Sequence, residues 1–140
     1  MKKDLNSKSS DECQGKIVLI DDDLSFCQIM KAYASVRGWQ LDAFVSLEEM
    51  GSIGKLSEYT SAIVDYNLKS MNGLEIAEYL PAFFGEMPMI LVSGSDQKEK
   101  RDNPWPNSIK AFVHKCEGPE KILDVVANYL PKDKEVLKVC

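Results

Sequence analysis

The sequence predicts an α/β domain: a parallel sheet with helices on both faces. Three observations lead there. Short apolar runs such as Ile17–Ile20 and Met89–Val92 are continuous rather than alternating, as strands buried on both faces are. Segments with helical periodicity, opened by capping residues and closed by glycine or proline, lie between those runs. The alternation repeats five times, and a βα repeat calls for parallel strands joined by crossover helices. A chain of 140 residues has room for one such domain with a substantial core. Its expected extent is residues 16–131, with polar tails at 1–15 and 132–140.

Taken in order, Ile17–Ile20 is the first strand. Phe26, Ile29, Met30 and Tyr33 follow at i, i+3, i+4 and i+7, and Gly38 supplies a C-terminal stop. Gln40–Val45 reads as the second strand. Ser46-Leu47-Glu48-Glu49 is a capping box that opens a second helix, weakened by Gly51 and Gly54. Ala62–Val64 is the third strand. Asn72 with Glu75 starts a helix carried by Leu74, Ala77, Glu78 and Leu80, which Pro81 kinks or ends. Met89–Val92 and Ala111–Val113 are the fourth and fifth strands. The charged stretch Asp96–Asp102 and Pro104-Trp105-Pro106 between them exclude a long regular helix, so the fourth helix is expected to be irregular. Gly118-Pro119 opens the last helix, whose apolar stripe is Ile122, Val125, Val126, Tyr129 and Leu130.

Composition narrows the function classes. Lys and Arg total 17 against 22 Asp and Glu, a net charge of −5. That balance disfavours direct nucleic-acid binding and offers no polybasic patch for a membrane. No apolar run approaches spanning length, and the basic N-terminus lacks an apolar core of signal-peptide type, so a cytoplasmic location is the expectation. Cys13, Cys27, Cys116 and Cys140 fit no zinc spacing and read as free thiols.

Chemistry concentrates at the carboxyl ends of the apolar runs. Asp21 and Asp22 end the first, Asp65 the third, Ser93 the fourth and Lys115 the fifth. Ligands of open α/β sheets bind at those ends. Three carboxylates gathered there repel one another, and a Mg²⁺ ion, which prefers oxygen ligands, relieves the repulsion. A carboxylate is also a nucleophile toward phosphorus, and the charge developing on phosphoryl oxygens calls for cationic and hydroxyl partners. Alone, each residue has a plainer reading. Asp21 and Asp22 suit a helix cap, Ser93 a strand-end hydroxyl, Asn67 a turn. His114, the single histidine, suits a structural role in a strand, and Trp105 a cover for the core edge.

Four blocks in order carry a resemblance: Val18-Leu19-Ile20-Asp21-Asp22-Asp23; Asp65-Tyr66-Asn67-Leu68 with Met71-Asn72-Gly73-Leu74; Ile90-Leu91-Val92-Ser93-Gly94; and Phe112-Val113-His114-Lys115. Over about residues 16–130 the chain resembles the receiver domains of two-component response regulators, the CheY-like family. The resemblance implies a flavodoxin-like (βα)5 doubly wound sheet of order 2-1-3-4-5. It implies Asp65 as phosphoacceptor. Mg²⁺ would be bound directly by Asp22, Asp65 and the backbone carbonyl of Asn67, and by Asp21 mainly through water. Lys115 would pair with Asp65 and then with the phosphoryl group. Ser93 would hydrogen-bond that group, and Phe112 would stand at the switch-aromatic position. The implied partner is a sensor histidine kinase or phosphotransfer protein. The implied activity is that of a phosphoacceptor with at most autophosphatase activity, not of an enzyme with a separate substrate. Asn67 and Ser95 flank the family's water path and, being small and uncharged, imply ordinary hydrolysis of the phosphoryl group.

The chain departs from the family pattern at three places. Lys69 stands where a proline commonly follows Leu68. Cys116 replaces the proline after Lys115, a position at which the family has a cis bond. Phe112 replaces the commoner tyrosine. A non-proline cis bond costs about 3–4 kcal/mol, so a trans bond at 115–116 and a re-aimed Lys115 are the expectation. Two other readings stand beside the first: a pseudo-receiver that binds partners without phosphorylation, and a haloacid-dehalogenase-like phosphatase opened by Asp21-Asp22-Asp23. The latter leaves Asp65 without a role. Few residues follow Pro131, so the sequence as it stands is expected to act through protein contacts or as a relay intermediate, unless an output domain has been cut away.

Overall fold

The computed structural model describes residues 15–50, 58–68, 87–94 and 107–130. In these the chain runs β1 (Lys16–Ile20), α1 (Leu24–Val36), β2 (Gln40–Phe44), α2 (Leu47–Met50), β3 (Ser61–Asp65), β4 (Met89–Ser93), β5 (Ile109–His114), a 3-10 turn (Lys115–Glu117) and α3 (Pro119–Ala127). The strands form one five-stranded sheet in the order β2-β1-β3-β4-β5, and every neighbouring pair is parallel. All five strands, their direction and their order match the sequence reading. The expected helix over 72–80, the charged and proline-rich stretch 96–106, Gly51, Gly54 and the two tails lie outside the described residues, apart from Gly15. That residue precedes β1 and is tied to the start of β2, its carbonyl accepting the Gln40 N–H at 3.0 Å.

Burial explains why the runs are continuously apolar. Every residue of β3 and β4 is buried, as are Ile17 to Ile20 of β1. Alternate side chains feed two cores. One holds Ile17, Leu19, Ile63, Ile90, Val92 and Val113 against Met30 and Ala34 of α1 and Ile122 and Val126 of α3. The other, on the opposite face, holds Val18, Ile20, Ala62, Val64, Leu91 and Met87.

The helix ends follow the sequence closely. Asp23, rather than Asp21 or Asp22, caps α1, its Oδ1 accepting the Phe26 N–H at 3.2 Å. Gly38, at φ 81°, takes the left-handed conformation needed after α1, and its N–H reaches the Ser35 carbonyl. Ser46 Oγ accepts the Glu49 N–H, while Glu49 Oε1 accepts the N–H of Val45. Pro119 lies in the first turn of α3 after Gly118, at φ 98°.

The buried face of α1 differs from the periodic stripe. Phe26, Cys27, Met30 and Ala34 point inward, whereas Ile29 and Tyr33 are 45% and 39% exposed. The inward face thus joins the large Phe26 and Met30 to the small Cys27 and Ala34, and Ile29 and Tyr33 lie to its side.

Candidate functional site

β1 and β3 are adjacent central strands, so Asp21 and Asp65 emerge side by side at their carboxyl ends. The Asp21 N–H still donates to the Phe44 carbonyl of β2, and the Tyr66 N–H to the Val92 carbonyl of β4, which ties both strand ends to their outer neighbours. Asp21 is fully buried. Its Oδ1 accepts the Asp23 N–H at 2.9 Å, and its Oδ2 lies 2.8 Å from Lys115 Nζ. Asp65 is buried also. Its Oδ1 accepts the Asn67 N–H at 3.2 Å in an Asx-type turn, and its Oδ2 lies 3.9 Å from the same ammonium. Ser93 is buried at the end of β4, where its Oγ accepts from Asn67 Nδ2 at 3.4 Å.

Lys115 begins the 3-10 turn after β5, and none of the described peptide bonds is cis. Its ammonium leans on Asp21 more closely than on Asp65, the partner expected from the sequence. It also stands 4.5 Å from the centroid of the Phe26 ring. Phe112 lies on the other side of β5 from the α1 core. It meets Tyr66 edge-on at 5.6 Å and His114 at 5.5 Å, so the residue after Asp65 touches the expected switch aromatic.

Burial dominates the electrostatics. It pushes the Asp21 carboxyl from 3.8 up to about 6, against the hydrogen bonds from Lys115 and the Asp23 N–H, with the Asp65 charge adding to the rise. Asp65 is raised as well, first by burial, although the Asn67 N–H and Lys115 oppose this. The carboxylates of Asp21, Asp22 and Asp65 each offer an oxygen, and these lie within 4.8 Å of one another. Opposite ligands of an octahedral Mg²⁺ stand about 4.2 Å apart. The spread of up to 4.8 Å is slightly wider than that, so the carboxylates would draw in by a few tenths of an ångström around the ion; the all-oxygen, partly buried donor set is of the type that suits a small hard cation.

Residues 17–127 match the family described as the response regulator receiver domain. The chain belongs to that family. This receiver domain is 29% identical over 109 residues to the regulatory protein VirG of Rhizobium rhizogenes, covering 76% of this chain and 44% of that protein. It is 26% identical over 127 residues to the cell cycle transcriptional regulator CtrA of Caulobacter vibrioides, covering 88% of this chain and 55% of that one. The chain thus spans about half the length of the curated relatives it matches. Among solved structures, the chemotaxis response regulator CheY4 of Vibrio cholerae superposes with a TM-score of 0.71 at 18% identity, over 84% of this chain and 99% of that one. The response regulator TrrA of Thermotoga maritima, solved in complex with Mg²⁺-BeF, gives 0.69 at 19% identity, over 83% and 99%. Both share the CheY-like flavodoxin fold with this chain. A two-component signalling role follows for the receiver domain, and the family sets aside the dehalogenase-like reading.

The fold brings together Asp21, Asp22, Asp65, Asn67, Ser93 and Lys115. Lys69, Ser95 and Trp105 lie outside the described residues. Sequence reasoning missed three participants. Asp23 is the helix cap, and its acidic type at the start of an apolar periodic run was signal enough. Cys27 is buried beneath the site and its Sγ donates to the Asp21 carbonyl at 3.3 Å. Burial, then the charges of Asp21 and Asp23, raise its thiol to about 11. Phe26 lies against Lys115, a contact between distant segments that no local pattern announces. Among the described residues no helix is long and apolar enough to cross a membrane.

Proposed function

We propose that this receiver domain accepts a phosphoryl group on Asp65 from a phosphohistidine of a sensor histidine kinase or phosphotransfer protein, in a Mg²⁺-dependent reaction. The observation that carries the reading is the placement of the Asp65 carboxylate. It lies within reach of two further carboxylates, of the Lys115 ammonium at 3.9 Å and of Ser93 through Asn67. Asp22, Asp65 and the Asn67 carbonyl would hold the ion, with Asp21 behind a water; when bound it supplies positive charge that offsets the carboxylates and the phosphoryl oxygens.

An ionised oxygen of Asp65 attacks phosphorus in line as the P–N bond breaks, and the electron pair stays on the imidazole nitrogen. Lys115 follows the charge, leaving Asp21 for the phosphoryl oxygens. The Ser93 hydroxyl donates to one of them. The donor supplies the driving force, so the domain needs positioning more than catalytic power. Its output is a shift between two conformations, read by protein partners through Ser93 and Phe112. The domain works in the cytoplasm, without nucleic-acid contacts of its own, and loses the phosphoryl group by autophosphatase hydrolysis at an ordinary rate.

Mg²⁺ with an acyl phosphate or phosphoramidate should label the protein once, at Asp65. Labelling should vanish with EDTA and with Asp65→Asn. Undiminished labelling in that variant would remove Asp65 from the role. A wild-type chain that takes no label while binding its partners would leave the pseudo-receiver reading in its place.

A further inference from the structure

Lys115 has a flexible four-carbon stem and a point-like charge, so its backbone alone does not set where its ammonium lies. It leaves β5 on a 3-10 turn and is followed by Cys116, which constrains the backbone less than a ring would. Three groups surround the ammonium: Asp21 at 2.8 Å, Asp65 at 3.9 Å, and the ring of Phe26, 4.5 Å from its centroid. The two carboxylates pull it toward the strand ends, and the ring forms the wall behind it. That distance lies well inside the range of about 6 Å over which an aromatic face attracts a cation, and the attraction is strongest where water is excluded. The Lys115 side chain is only 15% exposed and Phe26 only 9%.

The ring is itself held firmly. Phe26 stands in the first turn of α1, its N–H bound to the cap Asp23, and the Asp23 N–H is bound to Asp21 Oδ1. One short loop therefore fixes the ring, the cap and the carboxylate that receives Lys115 as a single unit. An aliphatic at position 26 would still be apolar enough for the core between α1 and the sheet, at some cost in packing, but it would offer the ammonium no electron-rich face.

We propose that Phe26 is a positioning residue for Lys115: its ring face holds the ammonium between Asp21 and Asp65, ready to cross to the incoming phosphoryl group. The inference rests on the reading of Asp65 as phosphoacceptor for its consequence in transfer, though not for the contact itself.

The test replaces Phe26 by mono-, di- and trifluorophenylalanine, which keep the shape of the ring and drain its face in steps, with Phe26→Leu as the end point. Two quantities are read. The first is the NMR shift of the Lys115 ε-methylene protons, which a ring face beneath them moves upfield. The second is the rate at which an acyl phosphate labels Asp65 in Mg²⁺. The upfield displacement should diminish stepwise along the series. Labelling should slow in the same order, by about 5- to 30-fold at the leucine end. A role confined to core packing predicts no trend among the fluorinated proteins, whose folding is checked by thermal denaturation. A Lys115 shift and a labelling rate that stay constant along the series overturn the proposal and leave Asp65 as acceptor. A wild-type protein that fails to label overturns the acceptor reading and the transfer role together, while an intact stepwise trend in the Lys115 shift still supports the contact.

Discussion

Asp21→Asn in the absence of metal is the sharpest test of the site's electrostatics. Asp21 is fully buried, and its carboxyl titrates near 6 when folded against 3.8 when free. The folded state therefore holds its proton through a window in which the unfolded chain has already released it. Proton linkage makes stability fall as pH rises from about 4 through about 6, and the loss is complete by about pH 7. A shift of roughly two units sets an upper limit of about 3 kcal/mol on that loss. Asparagine removes the charge and keeps an oxygen for the Asp23 N–H, but it gives up the ion pair with Lys115. That contact already holds the folded value down to about 6, so its loss is contained in the shift, and the variant should be more stable than the wild type by up to about 3 kcal/mol at neutral pH in EDTA. The difference should shrink to near zero at about pH 4, where both side chains are neutral. Urea denaturation of both proteins at the two pH values measures it directly. Excess Mg²⁺ should then favour the wild type, by up to about 2.7 kcal/mol at one hundred times its dissociation constant, and the variant less. A variant less stable than the wild type at neutral pH in EDTA would show that the Lys115 pair outweighs burial, and the reasoning would fail.

Two further outcomes follow from contacts elsewhere. Cys27 is buried with its thiol raised to about 11, whereas Cys116 is exposed. Alkylation near neutral pH followed by peptide mass analysis should modify Cys116 in the native protein and reach Cys27 only after unfolding. Rapid native modification of Cys27 would contradict its placement. Arg37 joins the end of α1 to α3 through Glu120 and Asp124, at 2.6 and 2.7 Å, and lies over the Trp39 ring. Both acids are largely exposed, so Arg37→Ala should cost only about 0.5–1.5 kcal/mol, with a part that fades at high salt. A loss several times larger in a denaturation curve would mean that the clamp organises the helices.

The strands were legible because burial on both faces leaves an unmistakable mark, as Ile17–Ile20 and Met89–Val92 admit no alternation, whereas their order came only through the resemblance to receiver domains. Turn chemistry was equally local, and Gly38, Ser46 and Pro119 act where their types indicated. The buried face of α1 was not legible. Apolar periodicity at Phe26, Ile29, Met30 and Tyr33 located the helix. Close approach to the sheet, which favours Cys27 and Ala34, decided which side turns inward. Among the site residues, strand-end positions announced Asp21, Asp65 and Ser93. The lean of Lys115 toward Asp21 and Phe26 could not be foreseen, since it depends on how a turn after β5 meets a helix after β1.

The adjacency of β1 and β3 also bears on the order in which the molecule assembles. Their pairing joins segments 44 positions apart, as Lys16 and Thr60 illustrate, and Lys115 must arrive from beyond β5 to complete the cluster. Such long-range closure comes late, because chain entropy must be surrendered before the contacts repay it. The acidic cluster is therefore expected to form after the earliest collapse. A cation that binds there should then slow unfolding more than it speeds folding, which the two rates measured with and without Mg²⁺ would check.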